Sequence, residues 1–146
     1  MITVPAKPEQ VPALLDRLPQ AEAAQLLAHG GSAVITGNIA ASVLTWCGVD
    51  ASGQPVTMGG IWPMRDDPET GYLWQIITPD VRHHKRAYLL QSRAVQAAAL
   101  RLFVRLWVVI APDHETARRH LRRLGWTAAG DCRVSGERAL VFERTR

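Results

Sequence analysis

Two rhythms of apolar residues alternate along this chain, one of about 3.6 residues and one of about two, and the changeovers mark its elements. Ile2 to Val4 reads as a short strand. Val11, Leu14, Leu15 and Leu18 then fall at helical spacing within residues 8–18, and Pro19 breaks that helix. Residues 21–28 are good helix formers, and Gly30-Gly31 ends them as a C-cap. Residues 32–42 carry no clear period; Gly37-Asn38 fits a turn or the start of a short helix.

Strand signals follow. Residues 42–49 are rich in β-formers (Val43, Leu44, Thr45, Trp46), 50–53 form a turn, and 56–62 return, so 42–62 reads as a hairpin. A polar loop at 65–71 precedes a third strand, 72–78. Pro79-Asp80 closes that strand and opens a long helix, 81–103. Ala87, Leu90, Ala94, Ala98 and Leu102 share one face of it, and Arg82, Arg86 and Arg93 another. The run Leu-Trp-Val-Val-Ile-Ala at 106–111 has the pattern of a central strand buried on both faces. Asp113 is the expected N-cap of the next helix, Ala117, Leu121 and Leu124 its buried face, and Gly125 its end. Two last strands, 128–134 and 139–144, flank a Ser135-Gly136 turn. The order β-α-α-β-β-β-α-β-α-β-β predicts a single α/β (α+β) domain over 1–146. Its mixed, mostly antiparallel sheet has about six or seven strands, with helices on both faces.

Composition narrows the classes. With 146 residues and 47% apolar content the chain can build a core and does not read as disordered. Trp46, Trp62, Trp74 and Trp107 lie in expected strands, which assigns them to packing. The apolar runs are too short to span a bilayer, and residues 1–5 lack the pattern of a secretory signal, so neither membrane nor secretion is expected. Cys47 and Cys132 make neither a disulfide framework nor a metal knuckle, and read as buried thiols of a reducing cytoplasm. The five histidines show no ligand spacing, and His114-Glu115-Thr116-Ala117-Arg118 has Arg where a zinc-binding helix needs its second His. No metal site is expected.

Charge is uneven. Residues 1–81 carry three basic side chains against eight acidic ones, and residues 82–146 carry fourteen against five. Arg118, Arg119, Arg122 and Arg123 form the sharpest cluster. Joined with Arg82, Lys85 and Arg86 they would offer a basic surface to nucleic acid or an acidic protein. Solvated helix faces are the plainer explanation.

The element order, with Ala-Arg-Arg-His-Leu-Arg-Arg-Leu-Gly-Trp at 117–126, resembles the GNAT (acyl-CoA N-acyltransferase) family, whose late helix ends in a Leu-Gly-aromatic corner. Within it, residues 42–146 resemble the GNAT-like internal virion or assembly proteins of T7-like phages and prophages. The shared pattern is Met58-Gly59-Gly60, an aromatic strand at 72–78 before a basic helix, and Leu106-Trp107-Val108-Val109 before a helix ending in Leu124-Gly125-Trp126. The resemblance implies a pyrophosphate cradle after the fourth strand. If acyl-CoA binds, Ile77, Thr78, Arg82, His83, His84, Lys85 and Arg86 would line it, although the family's cradle glycines are missing.

The other positions that the family uses are also changed. The fourth strand has no carboxylate to act as base; Asp66, Asp67 and Glu69 lie in the loop before it. Leu121 stands where relatives carry a Tyr as general acid, with His120 beside it, and His114 stands in place of an Asn. No catalytic residue is assigned. The resemblance then implies a phage or prophage protein that acts in virion assembly through protein contacts, in the host cytoplasm or the virion, and requires no cofactor. The alternative is an acetyl-CoA-dependent N-acyltransferase with an atypical pyrophosphate site. A nucleic-acid-binding accessory is the third reading, and a homo-oligomer fits each.

Overall fold

The computed structural model describes residues 1–146. It contains a seven-stranded mixed sheet and five α-helices. Strand β1 (Ile2–Val4) leads into a 3-10 turn, Pro8–Gln10, and then α1 (Val11–Leu15). The helix expected over 8–18 is therefore shorter, although Val11, Leu14 and Leu18 are buried as their spacing predicts. Helix α2 (Gln20–Ala28) buries no residue. Helix α3 (Gly31–Ala41) settles the ambiguous segment: Gly37-Asn38 is neither a turn nor a helix start but lies inside a helix, with Ile35 in the core. Gly30 makes the α2–α3 junction at φ +107, and a Cβ there would lie 2.6 Å from Val34 Cγ2, so only glycine fits.

Strands β2 (Leu44–Val49) and β3 (Pro55–Pro63) pair antiparallel from Leu44↔Ile61 to Val49↔Pro55, with an irregularity at Gly48/Val49. Asp50 closes their turn: its Oδ1 accepts from the Ser52 N–H (2.9 Å), the Ser52 hydroxyl (2.6 Å) and the Gln54 N–H (3.1 Å). Strand β4 (Thr70–Ile77) starts two residues before the expected 72, because Thr70 and Gly71 are buried and pair with Arg105 and Leu106. Strand β5 (Arg105–Ile110) runs parallel to β4 over three pairs, ending at Tyr72↔Trp107. It is not buried on both faces: Leu106 and Val108 are buried, whereas Trp107, Val109 and Ile110 are half-buried.

The helix expected over 81–103 is two pieces, a 3-10 turn at Pro79–His83 and α4 (Lys85–Leu102), with the break at His84. Its inward face also differs from the expected one. Gln91, Val95 and Ala99 are buried, while Leu90 and Leu102 are more than half exposed. Helix α5 (Glu115–Arg123) is capped by His114, not Asp113, through an acceptor contact from the Ala117 N–H to Nδ1 at 3.4 Å. Ala117, Leu121 and Leu124 are half-buried. Gly125 (φ +84) and Trp126 end the helix as predicted. The Gly125 N–H donates to the Arg122 carbonyl (3.0 Å) and the Trp126 N–H to that of Leu121 (3.0 Å), the two bonds of a Schellman motif. Gln96 fixes this corner: its Nε2 donates to the Leu124 carbonyl (3.1 Å) and its Oε1 accepts from Trp126 Nε1 (2.9 Å).

Strands β6 (Thr127–Val134) and β7 (Glu137–Thr145) close the chain, and the order across the sheet is β1-β2-β3-β4-β5-β7-β6. Backbone contacts group the chain into two units, Met1–Trp62 with Gln75–Ser92 and Pro63–Trp74 with Arg93–Arg146. The first holds a core of Val11, Leu14, Ile35, Trp46, Val56, Met58 and Ile61. The second holds Trp74, Ala99, Phe103, Leu106, Trp126 and Phe142. Each large apolar side chain so buried stabilises its unit by about 1.5–3 kcal/mol before entropy is counted.

Candidate functional site

The basic residues after β4 form one surface of the first unit. A concavity of about 320 Å³ lies at the start of α4, lined by His83, His84, Lys85, Arg86, Ala87 and Leu90. The His84 N–H donates to the Val81 carbonyl (2.9 Å), and the His84 carbonyl accepts from the Tyr88 N–H (2.8 Å). The N–H groups of Lys85, Arg86 and Ala87 therefore precede the first helical bond and have no partner within the helix. The first turn of α4 carries no acidic side chain. A helix start with free N–H groups beside basic side chains has a dipole and a charge of the sign that suits an anion.

Four of the seven residues expected at the cradle, His83, His84, Lys85 and Arg86, line this concavity. Arg82 lies beside them, its Nε donating to His83 Nε2 at 3.1 Å. Ile77 and Thr78 are not part of the lining. Thr78 is buried, and both its N–H and its hydroxyl donate to the Val56 carbonyl at 2.9 Å, so its role is to tie the end of β4 to β3.

The segment leading into the concavity is anchored from below. Arg17 donates through Nε to Asp80 Oδ2 (2.9 Å), and through Nη1 to Asp50 Oδ2 (3.0 Å) and the Pro55 carbonyl (3.3 Å). The Asp50 carboxyl is held well below the usual carboxylate range, first by the Ser52 hydroxyl, then by the Gln54 N–H, Arg17 and the Ser52 N–H, against the opposing effect of burial. On α4, Gln91 is buried and bonded at both ends of its amide. Its Oε1 accepts from the Thr57 hydroxyl and its Nε2 donates to Thr3 Oγ1, each at 2.9 Å. Tyr88 donates to Gln75 Oε1 at 3.3 Å, and burial pushes its phenol up to about 12, so it stays a neutral donor. Gln91 and Tyr88 were not singled out by the sequence. The one available signal was a polar Gln among alanines on a helix.

The second unit carries the remaining expected residues. Arg118 pairs with Glu115 at 3.3 Å and donates to the Pro112 carbonyl at 3.3 Å, and Arg119 reaches Glu115 at 3.9 Å. Arg122 and Arg123 are exposed. Half of the arginine cluster thus shares one carboxylate of its own helix. The half-buried His120 imidazole is lowered below its ordinary value by burial and then by Arg123, which favours its neutral form. Asp67 accepts from the Thr70 hydroxyl (2.6 Å) and lies 3.8 Å from Arg105, the bonds of an ordered loop. No group of three or more His, Cys, Asp or Glu side chains is arranged to hold a metal ion, and no helix is long and apolar enough to cross a membrane.

No protein-family model matches this chain, and no curated protein matches it in sequence. Solved structures do match in fold. An aminoglycoside acetyltransferase, AAC(6')-Ib, in complex with coenzyme A and kanamycin aligns with a TM-score of 0.74 at 14% identity, over 99% of this chain and 94% of that one. An acetyltransferase of the GNAT family from Streptococcus pneumoniae aligns with a TM-score of 0.67 at 15% identity, over 99% of each chain. A spermidine N-acetyltransferase chimera, from Vibrio cholerae and hSSAT, aligns with a TM-score of 0.71 at 10% identity, over 99% and 96%. The fold is that of the GNAT acetyltransferases. The GNAT resemblance of the sequence is met at the level of fold, but nothing in these structures links the chain to phage virion proteins.

Proposed function

We propose that this chain is an acyl-CoA-dependent N-acyltransferase whose diphosphate site is built from basic side chains and a helix start instead of a glycine cradle. The observation that carries the reading is the concavity at the start of α4, lined by His83, His84, Lys85 and Arg86, where the first three helical N–H groups have no helical partners. These groups fit a diphosphate in charge and in hydrogen-bond polarity. The fold supports the same reading, since neighbouring structures include acetyltransferases in complex with coenzyme A. These neighbours favour acyl transfer over virion assembly.

Acyl-CoA would supply a thioester carbonyl open to attack by an amine. Lys85 and Arg86 would hold the anionic end, the free N–H groups would orient it, and Thr78, Arg17 and Gln91 would keep the helix start in place. Calorimetric titration of coenzyme A and acetyl-CoA into the protein tests this. Saturable micromolar binding is expected, weakened about tenfold or more by joint Lys85→Ala and Arg86→Ala substitution, a loss of about 1.4 kcal/mol or more. Both side chains are exposed, so the variant should fold. Absence of binding at millimolar ligand overturns the proposal. A band shift on DNA that weakens steeply with salt would instead favour a nucleic-acid role.

A further inference from the structure

The outer edge of the sheet is open along β6. This strand is last in the sheet order, and seven of its eight residues are exposed, the half-buried Cys132 being the exception. An edge of this kind presents unpaired backbone groups to any strand that fits it. Only part of it is regular. The pairing with β7 shifts register between Ala128 and Gly130, and the strand ends at the Ser135-Gly136 turn, where both residues have positive φ. Between bulge and turn lies the segment Gly130-Asp131-Cys132-Arg133-Val134, with Cys132 at its centre.

That segment is complementary to itself. In an antiparallel pair of two copies centred on Cys132, Gly130 faces Val134 of the second copy, and Asp131 of each copy faces Arg133 of the other. Cys132 sits on the two-fold axis opposite its own equivalent. Asp131 and Arg133, two residues apart, lie on one face of the strand. Their side chains are solvent-exposed, and their present partners are weak constraints. Asp131 Oδ2 accepts from Arg138 at 2.8 Å in a pair more than half exposed, and Arg133 donates to the Gly136 carbonyl at 2.8 Å. Directly opposed unlike charges stabilise a strand pair and like charges destabilise it. Many edge strands carry charge that repels a second copy; here the charge order is the one that attracts it.

We propose that β6 is a homodimer interface in which two copies of Gly130-Asp131-Cys132-Arg133-Val134 pair antiparallel, extending the seven-stranded sheet across the two chains. A C2 contact of this type is isologous and closes at two copies.

Sedimentation of the full chain across the micromolar range, with charge reversal at the paired positions, tests the geometry. The unaltered protein is expected to be a dimer. Asp131→Arg places Arg opposite Arg, and Arg133→Asp places Asp opposite Asp, so each should weaken the dimer about tenfold. The double swap, Asp131→Arg with Arg133→Asp, restores opposite charges and should restore the dimer. A short bifunctional maleimide should link the dimer covalently, and should not do so after Cys132→Ser. The proposal is overturned by a monomer at every concentration, by a dimer indifferent to both single reversals, by loss without rescue in the double swap, or by cross-linking that does not need Cys132.

Discussion

Replacing Gly48 by alanine should be among the most damaging single-methyl changes available to this protein. A Cβ at Gly48 would lie 2.6 Å from Thr57 Oγ1, 2.8 Å from Met1 Sδ and 2.9 Å from Gln91 Nε2. Two of those atoms belong to the relay that runs from buried Thr57 through buried Gln91 to Thr3, and neither can retreat without stretching a 2.9 Å bond. Forcing a methyl group into a packed site costs about 1–3 kcal/mol. Leaving a buried amide or hydroxyl unpaired costs about 1–3 kcal/mol more. A loss of about 2–6 kcal/mol is a large share of the roughly 5–15 kcal/mol that stabilises a domain. With a urea slope of about 2 kcal/mol/M, unfolding should show it as a midpoint about 1–3 M lower at unchanged slope. Because Thr57 Oγ1 is the nearest obstacle, the same change made in a Thr57→Ala background should cost about 1 kcal/mol less. A cost below about 0.5 kcal/mol, or equal costs in the two backgrounds, would refute the steric account.

Acid should act through Asp50. Its carboxyl is depressed in the folded chain, so the stability it contributes is complete above the unfolded value of about 4 and is lost as pH falls below it. Melting temperature plotted against pH should fall less steeply in Asp50→Asn than in the parent over that acid range, and parallel curves would remove Asp50 as the cause. The two thiols should separate cleanly. Burial pushes Cys47 up to about 11, whereas Cys132 is half-buried on the edge strand. At about pH 8 an aromatic disulfide reagent should titrate one thiol quickly and the second only on unfolding. Loss of the fast phase in Cys132→Ser confirms the assignment, and a fast phase that survives the substitution contradicts it.

Strands and corners were legible in the sequence because they are written in local chemistry. The hairpin of β2 and β3 is announced by Asp50 and Gly53, and the corner at Gly125-Trp126 by a residue that tolerates positive φ followed by one that needs burial. Helix faces were harder. On α4, alanines and leucines occur on both sides, so apolar spacing selected the face of Leu90 and Leu102. The buried face is instead that of Gln91, Val95 and Ala99. A glutamine at the centre of that face argues against burial until its two partners, Thr57 and Thr3, are known, and they come from strands far away in sequence. The same limit applied to the site. The basic residues after β4 suggest an anion cradle by sequence, and the structure sets four of the seven expected residues around one concavity. That Thr78 is spent on the Val56 carbonyl, and Arg82 engaged with His83, depends on tertiary placement that no spacing encodes.

The interruption at His84 has a further consequence. It gives one stretch of chain two helical beginnings, six residues apart, which meet opposite fates. The earlier one, at Pro79–His83, holds its own carboxylate in Asp80, and that carboxylate is clamped by Arg17. The later one, at Lys85, is left with no carboxylate of its own. An uninterrupted helix from Pro79 would have used the Lys85 to Ala87 N–H groups for internal bonds and left Asp80 as the resident anion at its single positive end. On the proposed function, restarting the helix would separate the end that the chain neutralises itself from the end that the diphosphate would meet, with no carboxylate of that first turn to displace.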